Sequence, residues 1–313
     1  MNNSNVGWVG ISLVALYLLM SSIREVFFAL VLRQINVFVL IGIVFSLATI
    51  IFTLSLAGNL RALLTKVNNN KLNIFYINMT TAVAWFSFIF ALQFIEPAIA
   101  TAIITALGPV STLIVAVMML KDFRVNRLDI ICAVGIMFSI IFLGYLTLTG
   151  RSGVKSDSLF LAALGLLGTL ISGFTSAANT VVTKRLVIGG FNSRQIMVVR
   201  FYFLIFISLF WIILRQIPVQ MSADQFLAVA AISFFGISIP LFALQAGIAR
   251  MDVNSVALMI SVAPLITFVF QYLKGGFTVS LYSLAGVLSA LAFVVVGIVA
   301  KFQMARADLK GKA

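Results

Sequence analysis

Two charged residues stand side by side in a stretch with almost no other charge. Arg24 and Glu25 fall in LLMSSIREVFFALVLRQ and are followed by a run of apolar residues. A carboxylate in that setting can bind an amine or exchange a proton, and a guanidinium can receive a carboxylate. A charge at bilayer depth costs about 2.5 kcal/mol or more, so it normally faces protein or water and marks a functional site. Neighbouring residues on a helix point about 100° apart, so the two cannot line one narrow face and one of them can be structural. The competing reading ends the membrane span near Ile23 and leaves both at the outer headgroup level.

Other polar residues sit within apolar runs. Asn179, in SGFTSAANTVVTKRL, carries an amide that needs partners and is a candidate cavity residue. Trp85 stands in mid-run, away from the interfaces where Trp anchors, and its indole N–H needs an acceptor. It can stack on a solute or pack on a neighbouring helix. Gln93, Gln245 and Tyr17 complete the candidate solute-binding set, with Thr105, Ser261 and Gln271 as weaker members. Arg200, in SRQIMVVRFYFLIF, reads as snorkelling to the cytoplasmic interface. Pro109, Pro240 and Pro264 lie inside apolar runs, remove one backbone hydrogen bond each, and are candidate hinges.

Composition excludes several classes of chemistry. There is no His, and the one Cys, Cys132, lies in an apolar run, so no metal site or cofactor is implied and no intrachain disulfide can form. No G-x-x-x-x-G-K-[ST] loop occurs, which argues against ATP drive. A membrane enzyme acting on lipid-linked substrates would show clustered acids or a sizeable polar loop, and a channel a ring-forming filter; neither pattern is present. The net charge of +13 comes from Lys and Arg in short connections, a pattern of membrane topology rather than nucleic-acid binding.

These residues must be positioned by membrane helices. With 62% hydrophobic and 9% charged residues, the chain divides into ten apolar runs, at 7–31, 35–57, 74–95, 97–120, 128–148, 158–182, 194–214, 224–248, 253–273 and 279–301. A hydrocarbon core about 30 Å thick needs roughly 20 apolar helical residues. Backbone groups in lipid must be satisfied internally, so all ten read as helices. With the N-terminus cytoplasmic, 14 of the 21 Lys and Arg fall on the inner side, five on the outer side, and Arg24 and Arg200 within spans. That asymmetry places both termini in the cytoplasm. The first run lacks the features of a cleaved signal peptide and reads as a retained span.

The chain also repeats itself. ALGPVSTLIVAVMMLKDF in the fourth run parallels SVAPLITFVFQYLKGGF in the ninth, each with a proline and an apolar stretch closing on Leu-Lys. Ala91-Leu92-Gln93 recurs as Ala243-Leu244-Gln245. Two halves of five spans follow, 1–150 and 151–313, the second upside down relative to the first, as in many secondary transporters. On that repeat Asn179 corresponds to Glu25. Two small-residue stripes in the sixth run, Gly165/Thr169/Gly173/Ala177 and Gly168/Ser172/Ser176/Thr180, suit close helix packing.

With these motifs the sequence resembles the EamA-type ten-helix members of the drug/metabolite transporter superfamily. It departs from them where Lys121-Asp122 and Lys274-Gly275 replace the usual Gly-Glu step. The resemblance implies an all-α integral membrane fold, ten transmembrane helices as two inverted five-helix repeats around a central cavity. It implies a secondary transporter rather than an enzyme, working by alternating access in the bacterial inner membrane. The expected partners are a small-molecule substrate, membrane lipid and, as a candidate coupling ion, protons. The Arg24–Glu25 pair points to an amino-acid-like or amine-bearing solute, and export is the expected direction. The alternatives are a non-transporting partner subunit and, after it, a membrane-embedded enzyme acting on lipid-linked substrates.

Overall fold

The computed structural model of the chain describes residues 3–56, 60–119, 127–154, 158–248, 250–251 and 253–310. Lys121-Asp122, Arg124, Lys155, Asp252 and Lys312 lie outside them. The described residues are helical, with no strand. Among the described residues nine helical segments are long and apolar enough to cross a membrane, and Pro97–Ser111 is a shorter apolar helix. The chain is thus a multi-pass integral membrane protein.

The apolar runs become α1 (Asn3–Val31), α2 (Val37–Leu54), α4 (Lys71–Ala91), α5 (Pro97–Met119), α6 (Arg127–Leu148), α7 (Leu159–Ile188) and α14 (Leu281–Lys310). Between the second and third runs a short helix, α3 (Leu60–Asn69), takes the place of a loop. Its Leu63 is buried while Leu64 is exposed, and Lys66 Nζ donates to the Gly190 carbonyl (2.5 Å) and to Gln195 Oε1 (3.2 Å). Side-chain caps mark several helix starts. Asn36 accepts from Phe38 N–H, and Asn192 with Gln195 and Ser222 with Gln225 form reciprocal capping boxes. Many large apolar side chains lie outward, among them Ile188 and Leu281. Lipid is the solvent that suits such a surface.

Three of the apolar runs are not single helices. The seventh is α8 (Ser193–Val199) and α9 (Tyr202–Leu214), interrupted at Arg200–Phe201. The eighth is α10 (Ala223–Ala231), a π-helical turn over Ile232–Ser238, and α11 (Ile239–Ile248). The ninth is α12 (Val253–Ile260) and α13 (Ala263–Lys274). Pro264 therefore lies in the first turn of α13 rather than inside a continuous helix, where proline's missing N–H has no intrahelical acceptor to leave empty. Pro109 is interior to α5, and Pro240 is the second residue of α11, just past the π turn.

The interior is built where these helices meet. α1 packs on α11, the π turn and α13, while α7 packs on α4 and α5. α2 meets α9, α5 meets α13, and α6 meets α14. The small-residue stripes of α7 serve the second group. A methyl group on Gly173 would come within 2.6 Å of Leu107, and one on Gly168 within 2.9 Å of the Ser87 carbonyl. Loops gather at two ends. At one end the Arg33 guanidinium reaches the Gly276 carbonyl (3.0 Å) and Thr278 N–H reaches the Gly153 carbonyl (3.1 Å). At the other, Lys66 ties α3 to the turn after α7.

Candidate functional site

α1 continues through Arg24 and Glu25 without a break, and both side chains are buried, at 5% and 6% exposure. They diverge from the helix as a 100° separation requires and then meet through one contact, Arg24 Nη2 to Glu25 Oε1 at 3.2 Å. Arg24 runs toward α4 and the π turn. Its Nη1 donates to the Gly236 carbonyl (3.1 Å) and its Cζ lies 5.1 Å from the Trp85 ring centre. Glu25 runs toward α5 and α13. Its Oε2 accepts from Thr101 (2.5 Å) and from Thr267 (3.0 Å).

The sequence prepares the arginine seat through two residues four apart. Pro240 has no N–H to offer the carbonyl four positions back, that of Gly236, and Arg24 donates to that carbonyl instead. Gly236 also leaves room for the arginine stem, since a methyl group there would lie 2.9 Å from Arg24 Cγ. The π turn, which contains Gly236 and ends two residues before Pro240, is a local distortion of the kind that often accompanies functional sites.

Trp85 is half-buried, with Phe45 edge-on at 5.0 Å and Phe88 at 6.2 Å. Tyr17, also half-buried, sits within electrostatic range of Arg24, Glu25 and Arg200.

Arg200 does not snorkel. It is 6% exposed, and Nη2 donates to Asn179 Oδ1 at 2.8 Å. The Asn179 amide nitrogen is held by Thr81 (2.7 Å) and Thr80 (3.1 Å), which turns its oxygen toward the guanidinium. The helix break at Arg200–Phe201 is what allows this inward course. Asn78 of α4 seals the break: its amide donates to the Val199 carbonyl (2.6 Å) and its oxygen accepts Phe203 N–H (3.2 Å).

The structure thus joins Arg24, Glu25 and Trp85 directly, leaves Tyr17 within electrostatic range of both arginines, and joins Asn179 to Arg200. Gln93 lies in the turn after α4, its Nε2 buried and unpartnered, and Gln245 is half-buried in α11. No described hydrogen bond links either to the pair. Of the weaker candidates, Thr105 bonds to carbonyls of its own helix, and Ser261, just past the end of α12, bonds to the Leu258 carbonyl. Gln271 joins Glu96.

Glu96, at the turn between α4 and α5, is wholly buried. Its carboxylate accepts from Gly153 N–H (2.6 Å), Ser283 (2.8 Å) and Gln271 Nε2. Burial raises its affinity for a proton above the ordinary glutamate value, against the opposing pull of those three donors. Two clefts lie elsewhere, one lined by Pro109, Asp129, Cys132, Phe293 and Gly297, the other along the outer side of α6. Among the described residues no cluster of metal-binding side chains occurs.

Sequence reasoning missed Thr101, Thr267, Gly236, Thr81 and Asn78. The signal for the two site threonines was there: Thr101 follows Pro97 by four residues and Thr267 follows Pro264 by three, each a lone hydroxyl in an apolar turn.

Residues 163–299 match the model of the EamA-like transporter family. The resemblance to EamA-type drug/metabolite transporters is borne out over those residues, in a chain with nine described helical segments apolar enough to cross a membrane. A protein known from a crystal structure shares the fold: 16% identity, TM-score 0.62, covering 97% of this chain and 98% of that chain. No curated protein matches the chain by sequence.

Proposed function

We propose that the chain is a secondary transporter that exports a small amine-bearing or zwitterionic solute, working as two inverted five-span halves, 1–150 and 151–313. The reading places ten spans in a bacterial inner membrane with both termini cytoplasmic. The observation that carries it is the seat of Glu25. Its carboxylate is bridged by Thr101 of α5, in the first half, and Thr267 of α13, in the second. An amine or a proton arriving at Glu25 competes with both hydroxyls, so occupancy alters bonds to the two halves at once. That is the element alternating access needs, a ligand with unequal affinity for two arrangements.

The packing supports the inverted repeat. α4 on α7 and α1 on α11 are exchanged by swapping the halves, as are α5 on α7 and α1 on α13, while α2–α9, α5–α13 and α6–α14 map onto themselves. The alignment of Asn179 with Glu25 fits the same swap, since each lies on the first helix of its half.

The test compares small-molecule pools inside and outside cells making wild-type chain or Glu25→Gln at matched membrane levels. Export predicts that one solute class moves outward with wild type and reverts in the variant. If both versions move the same pool, transport stands and Glu25 is not the working group. If no pool moves, the transporter reading fails.

A further inference from the structure

We propose that Arg200 is the anion subsite of this transporter, the counter-charge for a carboxylate on the transported solute. The inference rests on the transporter reading and deepens it from an amine-bearing solute to one that must carry a carboxylate.

Among the described residues the Arg24–Glu25 contact is the only ion pair, and it neutralises Arg24. The Glu96 carboxylate is occupied by Gly153, Gln271 and Ser283. Arg200 is left 94% buried with a neutral amide, Asn179, and the Phe201 ring, 5.5 Å from Cζ. Its Nε has no partner. Its Nη1 makes no described hydrogen bond. A guanidinium stays charged, and a buried charge without a counter-ion is strongly unfavourable.

Nor does the fold require this side chain. The helix break beside Arg200 is sealed by Asn78, whose amide satisfies both Val199 and Phe203. What Asn179 does for Arg200 is orientation: with its nitrogen fixed by Thr80 and Thr81, it holds one Nη and leaves the remaining N–H groups free. A planar fork with unoccupied donors matches a carboxylate edge. Tyr17 lies within electrostatic range of Arg200 and of the Arg24–Glu25 pair. Arg24, already paired, is then a positioning residue for Glu25 rather than the anion receptor.

The test measures binding, so it can succeed or fail independently of the export experiment. The thermal midpoint of the purified full-length chain in detergent is followed with acetate, butyrate and benzoate, and with the uncharged amide of each. Ionic strength is held constant with sodium chloride. A saturable rise is expected with at least one carboxylate and not with its amide. The rise should vanish in Arg200→Gln and survive, weakened, in Arg200→Lys. Without carboxylate, Arg200→Gln should melt at or above the wild-type midpoint, because it removes an unpaired buried charge. The proposal is overturned if no carboxylate shifts wild type, if the shift persists undiminished in Arg200→Gln, or if that variant melts lower without ligand, which would make Arg200 structural.

Discussion

At the scale of single residues, the two buried glutamates solve different problems. Glu25 shares its carboxylate with a guanidinium and two hydroxyls, a balance that an incoming cation can upset. Glu96 faces only neutral donors, from Gly153, Gln271 and Ser283, and fastens the turn before α5 to α13, to the start of α14 and to the Arg151–Val154 loop. Burial and donors pull its proton affinity in opposite directions, with burial ahead. A raised folded-state value means that the folded protein holds the proton more tightly than the unfolded chain. That contribution is complete below the ordinary value of 4.5 and is lost as pH rises through the folded-state value. The thermal midpoint of wild type should therefore fall across that window, while Glu96→Gln, which imitates the protonated form, should not follow it. A wild-type midpoint that tracks the variant over the same range would mean that the three donors outweigh burial.

At the scale of helices, the interruptions matter more than the lengths. An opened helix in lipid exposes carbonyls and N–H groups that water cannot reach, and non-helical backbone is tolerated there only when protein satisfies it. At Arg200–Phe201 that task falls to one side chain, Asn78, which is 4% exposed. Asn78→Ala should cost about 1–3 kcal/mol for each backbone group left unpaired. The loss would be read as a lower thermal midpoint, and an unchanged midpoint would show that the break is sealed some other way. The membrane spans themselves were legible because twenty-residue apolar runs announce their length and their helical state together. The interruptions were not, since Asn78 meets Val199 and Phe203 only after the helices pack, and hydropathy does not see a break between two apolar pieces. Arg200 was misread for the same reason: on an unbroken helix near the cytoplasmic end it would have snorkelled. The site pair was legible as an anomaly, Arg-Glu inside grease, yet its partners Thr101, Thr267 and Gly236 come from distant segments. α3 was overlooked although Leu60, Leu63, Leu64 and Val67 have helical spacing, because its charges resemble those of a loop.

At the scale of the whole molecule, the family match and the fold likeness differ in extent. The family model covers residues 163–299, whereas the likeness to a solved fold spans 97% of the chain. Arg24 and Glu25 fall in the half that the family model leaves unmatched, so their role rests on their own geometry. Inversion of the halves requires that equivalent loops open on opposite sides of the membrane, and the Lys and Arg count then sets which side is which. The prediction can be checked with a membrane-impermeant maleimide on intact cells. Cys132, the chain's one cysteine, is buried, and its replacement by Ala gives a background in which new cysteines report alone. Arg215 and Arg61 are both exposed, the first after α9 and the second in α3. Arg215→Cys should label from outside, and Arg61→Cys should label only after the membrane is opened. The reverse pattern would invert the protein in its membrane, putting both termini outside and leaving the basic loops where the positive-inside bias opposes them. If both positions label in intact cells, α3 and the turn after α9 share one side. The exchange of helix pairs between halves could not then be an inversion.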